Sequence, residues 1–196
     1  VVGRGGLVKP ISGGTYIINE SLIRDLEIGI QGEHASNLGG LLAKEIADEV
    51  SIPSFIVDPV VVDEFEEVAR FSGCKEISRK SAFHALNQKA IAKKHCTKEE
   101  MKYEEVNLLV VHIGGGVSVG AHKKGKIVDV TNASLGEGPL TPERTGELPV
   151  LEVVDMCFSK VYSKDEIYKM VKGQGGFNSY LQTTDVKFIV EEAVNN

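Results

Sequence analysis

A chain of 196 residues, 42% hydrophobic and 26% charged, is long enough for one large or two small globular domains. Its formal net charge of −6 excludes a broad electrostatic attraction for nucleic acid, so an anionic ligand must be held by a few placed cations and backbone amides. The three cysteines, Cys74, Cys96 and Cys157, form no Cys-x-x-Cys pair, and no apolar run approaches the ~18 residues of a membrane span. Disulfide scaffolds, zinc sites and membrane partners are thereby disfavoured, and a cytoplasmic protein is expected.

The chain opens on Val1-Val2 without methionine, and Gly3-Arg4-Gly5-Gly6 reads as a loop of the kind that succeeds a strand, which predicts an internal fragment. Thr15 to Ile18 is predicted as a short strand after the Gly13-Gly14 turn, and Ile52 to Val57 as a buried one. Between them Ser36-Asn37 can start a helix with Leu38, Leu41, Leu42, Ile46 and Val50 on one side. A second helix is predicted over Val62 to Phe71, and a third over Ser81 to His95 with Phe83, Leu86, Ala90 and Ile91 as its stripe. Thr97-Lys98-Glu99-Glu100 and Ser163-Lys164-Asp165-Glu166 both fit the capping-box pattern, and Asp185 can cap a last helix over Val186 to Val194. Because Asp58-Pro59 resists continuation of a strand, the domains are divided at 1–62 and 63–196.

The apolar run Val106 to Val111 leads into His112-Ile113-Gly114-Gly115-Gly116-Val117-Ser118-Val119-Gly120, and a polar turn then precedes a third strand at Ile127 to Val130. Glycines inside such a meander leave peptide N–H groups accessible to a phosphate, because no Cβ blocks the approach. A plain glycine-rich turn explains the same residues. There is no Gly-Lys-Ser/Thr of a P-loop, and the residues after Gly116 alternate as a strand where a dinucleotide fingerprint opens a helix.

Asp58 stands at the C-terminal end of its strand, the edge where open α/β sheets place ligands; a helix cap is the alternative. Arg144 lies in the glycine- and proline-rich loop Gly136 to Gly146, where it can enter a site and stabilise a moving phosphoryl group, or pair with Glu143 or Glu147 on the surface. His34, His84 and His112 show no metal-ligand spacing and suit donation to phosphoryl oxygens or ordinary structural roles.

The strings Gly32 to Gly40, Val57 to Glu64, Ala82 to Ala90, His112 to Gly120 and Gly136 to Gly146 resemble, in the same order, those of the butyrate kinases. These are similar to acetate kinases, of the acetate and sugar kinase, heat-shock ATPase and actin superfamily. The resemblance implies an α/β fold of actin-like ATPase (ribonuclease H-like) architecture with two related domains, here incomplete at both ends. It implies ATP/ADP and Mg²⁺ as cofactors, and a short-chain carboxylate and its acyl phosphate as partners. A homo-oligomer, by resemblance a dimer, is expected.

By motif, His112, Gly114, Gly115 and Gly116 correspond to the family's second phosphate hairpin. Arg144 corresponds to the arginine of its Gly-Thr-Arg-Cys-Gly loop. His84 corresponds to the phosphoryl-contacting histidine of Phe-His-Gly-Thr-Ser-His, beside Phe83 at the substrate. Asp58 matches the aspartate of Phe-Asp-Thr-Ala-Phe-His, near Mg²⁺ and the reacting carboxylate. His34 matches a histidine of a Leu-His-Asn-Pro loop. Arg4 stands for the carboxylate-gripping arginine of His-Arg-Val-Val-His-Gly-Gly, although aligning the glycines displaces it by three positions. The family's first phosphate hairpin, Asn-x-Gly-Ser, and its metal-binding glutamate have no counterpart in these residues. The expected activity is ATP plus butyrate giving butyryl phosphate plus ADP. The alternatives are a kinase of acetate, propionate or a branched acid, and a non-catalytic nucleotide- or phosphate-binding module.

Overall fold

The computed structural model describes residues 1–132 and 135–195, which fall into two compact units. The first comprises residues 1–110 and 120–130, and the second residues 111–119 and 131–196. The position 62 expected as a domain boundary lies within the first unit.

In the first unit, β1 (Val2–Arg4), β2 (Thr15–Ile17) and β3 (Phe55–Val57) form a sheet of order β1-β3-β2. β3 is parallel to β1 and antiparallel to β2, with Arg4 opposite Val57 and Thr15 also opposite Val57. Gly3-Arg4, expected as loop, is therefore strand, because its backbone finds a parallel partner in Ile56 and Val57. Helices α1 (Glu20–Glu27) and α2 (Asn37–Glu49) complete this half.

The existence of α2 agrees with the sequence prediction, but its buried side does not. Leu38, Leu42, Ile46 and Val50 are exposed, whereas Asn37, Gly40, Ala43 and Ala47 are buried. The reason is the closeness of the helix to β1: a Cβ on Gly3 would lie 2.1 Å from the Gly39 carbonyl oxygen, so only small residues fit that seam. Ser36 likewise precedes α2 without capping it, since its hydroxyl is engaged by His34.

The helix expected over Val62 to Phe71 is absent apart from one 3₁₀ turn at Glu67–Arg70. Here the polar groups favour extended pairing: Val62 bridges to Ile11, the Glu66 amide donates to Val128, and Asp63 holds Arg70 through both carboxylate oxygens. Helix α3 (Ala85–Lys98) buries Ala85, Gln88, Lys89, Ala92 and Cys96, leaving Leu86 and Ile91 exposed. Thr97 to Glu100 ends this helix and starts none, the Thr97 hydroxyl donating back to Lys93. The core of this part gathers Val62, Phe65, Ala69, Phe83, Ala85, Ile127 and Val130.

The meander is β4 (Asn107–Ile113), β5 (Val117–Lys123) and β6 (Lys126–Val130), in the order β4-β5-β6. β5 and β6 are antiparallel, with a register irregularity at Ala121/His122. The second unit adds α4 (Val150–Phe158), α5 (Lys164–Val171), α6 (Phe177–Leu181) and α7 (Val186–Asn195). Both predicted capping devices here are present: Ser163 and Glu166 form a reciprocal box, and the Asp185 carboxylate accepts from the Phe188 amide. Among the described residues, no helix is long and apolar enough to cross a membrane.

Candidate active site

The first unit carries five of the sequence-predicted site residues. Asp58 comes directly after β3 and adopts a left-handed backbone, φ +39°, while being only 5% exposed. Its Oδ1 accepts from the Gly14 amide at 2.7 Å, and its own amide donates to the Gly14 carbonyl at 2.9 Å. This reciprocal pairing holds a non-glycine residue in a conformation that is costly for it, with the carboxylate fixed at the sheet edge. The same Gly13-Gly14 turn is held from below by a buried ion pair that the sequence did not reveal. Glu64 accepts from the Gly13 amide at 2.9 Å and the Ile127 amide at 2.8 Å, and its Oε2 lies 2.9 Å from Lys89 Nζ. Burial opposes ionisation of Glu64, but those amides and Lys89 outweigh it and hold the carboxyl below its ordinary range.

His84 immediately precedes α3, and the Phe83 amide donates to the Val60 carbonyl at 3.2 Å. That bond brings the Phe83-His84 segment beside the Asp58-Pro59-Val60 turn. The Phe83 ring is 2% exposed and belongs to the core, so its side chain anchors the segment by packing. Arg4, at the end of β1, and His34 line one groove with Gly39, Leu42 and Ile46. His34 Nδ1 accepts from the Ser36 amide at 3.1 Å and lies 2.8 Å from the Ser36 hydroxyl, which leaves the imidazole proton on Nε2. The buried Asn37 fixes the neighbouring loop, accepting from the Leu7 amide and donating to the Gly32 carbonyl.

A second buried network runs along β5. The His122 imidazole is 2.7 Å from the Tyr103 hydroxyl through Nδ1 and 3.0 Å from Gln88 Oε1 through Nε2. Since Oε1 only accepts, Nε2 carries the proton and Nδ1 accepts from tyrosine. Burial, reinforced by the Lys89 charge and opposed by Glu64, lowers the His122 pKa to about 4. Burial, with the charges of Glu64 and Asp58, pushes the Tyr103 hydroxyl far above its usual value.

The second unit brings the other predicted residues together. The glycine hairpin is closed by the Gly114 amide donating to the Gly116 carbonyl at 3.1 Å. A Cβ on Gly114 would lie 3.1 Å from His112 Nε2, whereas a Cβ on Gly115 would meet no protein atom within 4 Å. The backbone at Gly115 thus faces open space, as a phosphate cradle requires. His112 is half-buried, and that burial lowers its pKa.

Arg144 is tied to this hairpin through Thr141, a residue without a predicted role. The Thr141 side chain, 3% exposed, donates to the Gly115 carbonyl at 3.0 Å and accepts from the Arg144 amide at 3.0 Å. The Thr141 amide in turn donates to the Arg144 carbonyl at 2.9 Å. Beneath the turn, Gly176 has φ +64°, and a Cβ there would lie 1.8 Å from the Thr141 carbonyl oxygen. Burial pulls the Arg144 guanidinium below its ordinary pKa, with Glu143 opposing. A signal for Thr141 was available: a threonine three residues before the arginine, with proline next to it, is a side-chain-stabilised turn.

For a metal, no three His, Cys, Asp or Glu gather among the described residues into a ligand cluster. The Asp58 carboxylate, fixed by the Gly14 amide, is the kind of single oxygen donor that a hard cation such as Mg²⁺ takes together with substrate phosphates.

Comparison with solved structures identifies the fold. The acetate kinase of Porphyromonas gingivalis superposes with a TM-score of 0.83 at 18% identity, over 99% of this chain and 51% of that one. A propionate kinase from Francisella tularensis subsp. tularensis SCHU S4 gives 0.70 at 17% identity, over 96% and 52%. The architecture is therefore the actin-like ATPase fold of the acetate and propionate kinases. The acetokinase family model matches residues 67–196, and the chain belongs to the acetokinase family. It is 59% identical over 191 residues to a chain named "Probable butyrate kinase" from Clostridium botulinum strain Eklund 17B, covering 97% of this chain and 54% of that protein. It is 54% identical over 194 residues to butyrate kinase 1 of Clostridium acetobutylicum, covering 99% and 55%. The chain thus spans about half the length of the butyrate kinases it matches.

Proposed function

We propose that the protein to which these residues belong is a carboxylate kinase that converts ATP and butyrate reversibly to butyryl phosphate and ADP. The observation that supports this reading is the tie, through Thr141, between the backbone of Arg144 and the glycine hairpin, whose Gly115 faces open space. A carboxylate oxygen attacks the γ-phosphorus in line as the bond to the β-phosphate oxygen breaks, that oxygen leaving with the electron pair on ADP. Because the attacking carboxylate is already ionised near neutral pH, the site needs no strong general base. Its work is positioning and charge stabilisation.

In this reading the amides of Gly114 to Gly116 and the His112 imidazole bind nucleotide phosphates, and Arg144 spans two oxygens of the moving phosphoryl group. His84 donates to the same group, and Asp58, held rigid by Gly14, orients the metal or its water. Mg²⁺, when bound, offsets charge on the nucleotide oxygens. Arg4 and the Nε2–H of His34 face the substrate carboxylate from their shared groove, with Leu42 and Ile46 as apolar wall. Phe83 completes the substrate wall through the segment it anchors. We assign residues 1–62 and 63–196 to parts of the two related actin-like domains, and propose a cytoplasmic homodimer by family resemblance.

Hydroxylamine trapping by the full-length protein tests the reaction class. ATP-dependent hydroxamate should form with butyrate and other short acids; ATP binding without hydroxamate from any of them would indicate a non-catalytic module instead.

A further inference from the structure

We infer that Thr141 is a positioning residue that locks the phosphate hairpin and the arginine loop into one fixed relation. The inference rests on the kinase reading and extends it to a residue which itself touches no substrate.

A threonine side chain has one O–H donor and two acceptor lone pairs. Here the donor goes to the Gly115 carbonyl, and the acceptor side receives the Arg144 amide at 3.0 Å and the Glu143 amide at 3.3 Å. Every valence of a buried polar group is thus used, and the Gly115 and Arg144 arms reach 26 and 3 residues away in sequence. Such a fully satisfied junction specifies one geometry, because breaking any arm leaves a polar group without its partner.

The peptide joining Gly115 to Gly116 is the point where this matters. With glycine on both sides it can turn over at little steric cost, and turning over would exchange the directions of its C=O and N–H. A trans peptide is planar with the two groups pointing oppositely, so a bond that pins the Gly115 carbonyl toward Thr141 directs the Gly116 N–H to the other side. The same hydroxyl, through the Arg144 amide, fixes where the arginine side chain springs from the loop. One side chain therefore sets both the sense of the cradle's amide and the origin of the cation.

The test uses full-length protein and four variants: Thr141→Val, nearly isosteric but without the hydroxyl, Thr141→Ser, which keeps it, Arg144→Ala, and Thr141→Val combined with Arg144→Ala. Steady-state kcat is measured well below each variant's Tm. Thr141→Val should lower kcat about 10-fold or more, and Thr141→Ser should stay within about threefold of wild type. In the Arg144→Ala background, Thr141→Val should cost clearly less than its factor in wild type, because the share of its effect that acts through the arginine is already lost and only the share acting through the hairpin amide remains. A crippled Arg144→Ala beside a Thr141→Val that retains wild-type kcat, or that costs its full factor again in the double variant, would overturn the positioning role and leave the kinase reading standing. An Arg144→Ala protein with wild-type kcat would overturn the reading itself, and this inference with it. If Thr141→Val does not fold, Thr141→Ala removes the hydroxyl without adding bulk and is judged by the same comparisons.

Discussion

Gly115 and Gly176 are both glycines of the second unit, and they should respond to a side chain in opposite ways. At Gly115 an added Cβ meets no protein atom within 4 Å, so Gly115→Val should shift Tm by no more than about 2 °C. In the full-length enzyme it should raise the nucleotide Kd at least ~10-fold, since the methyl groups occupy the space a phosphate needs. At Gly176 the left-handed φ and the 1.8 Å approach to the Thr141 carbonyl leave a methyl nowhere to go. Gly176→Ala should therefore destabilise by more than ~1 kcal/mol, read by denaturant unfolding. Reversed outcomes at the two glycines would contradict the placement of the cradle. Arg144→Lys belongs at this scale too: it keeps a charge but loses the planar fork, so kcat should remain at least ~10-fold below wild type while nucleotide Kd stays within a few-fold.

Among the elements, β5 carries the clearest dependence on pH. His122 has a folded pKa of about 4, against an ordinary value of 6.5 in the unfolded chain. Between those values the unfolded chain binds a proton that the folded chain refuses, so stability is complete above about pH 6.5 and falls as pH drops toward 4. The loss approaches ~3 kcal/mol at the acidic end. Thermal unfolding of wild type and His122→Gln from neutral to acidic pH checks this. Wild type should lose stability more steeply through that window, and parallel curves would contradict it; Glu64 is common to both proteins and cancels.

The same elements show what could be read from sequence. The meander and the capping devices at Ser163 and Asp185 were legible because turns and caps are set by neighbouring residues. The buried sides of α2 and α3 were not, since tertiary partners chose them: the Gly39 carbonyl beside Gly3 selected small residues, and His122 and Glu64 drew Gln88 and Lys89 inward. The segment Val62 to Phe71 misled for the same reason, its helix pattern overridden by pairing with Val128 and Ile11. At the site, Arg144 and the glycines stood out by type and spacing; the local turn at Thr141 had a sequence signal, but its bond to Gly115, 26 residues distant, had none.

For the whole molecule, the resemblance reaches through nearly all of this chain and about half of each butyrate kinase matched. The residues assigned above to phosphate binding and transfer are thus proposed to act as parts of a longer protein, and the isolated 196 residues should form no measurable acyl phosphate in a hydroxamate assay. A fragment as active as the complete chain would show that the first phosphate hairpin of the family is dispensable.

The central claim, that an arginine loop and a glycine hairpin transfer phosphate to a short carboxylate, is tested most directly in the full-length protein. Acyl-phosphate formation from ATP and butyrate is measured for wild type and Arg144→Ala beside the nucleotide Kd of each. Wild type should form butyrate-dependent acyl phosphate, and Arg144→Ala should show at least a ~10²-fold lower kcat at a nucleotide Kd within a few-fold. An Arg144→Ala protein with unchanged kcat and a lowered Tm would contradict the claim, and would make the arginine a support of the fold.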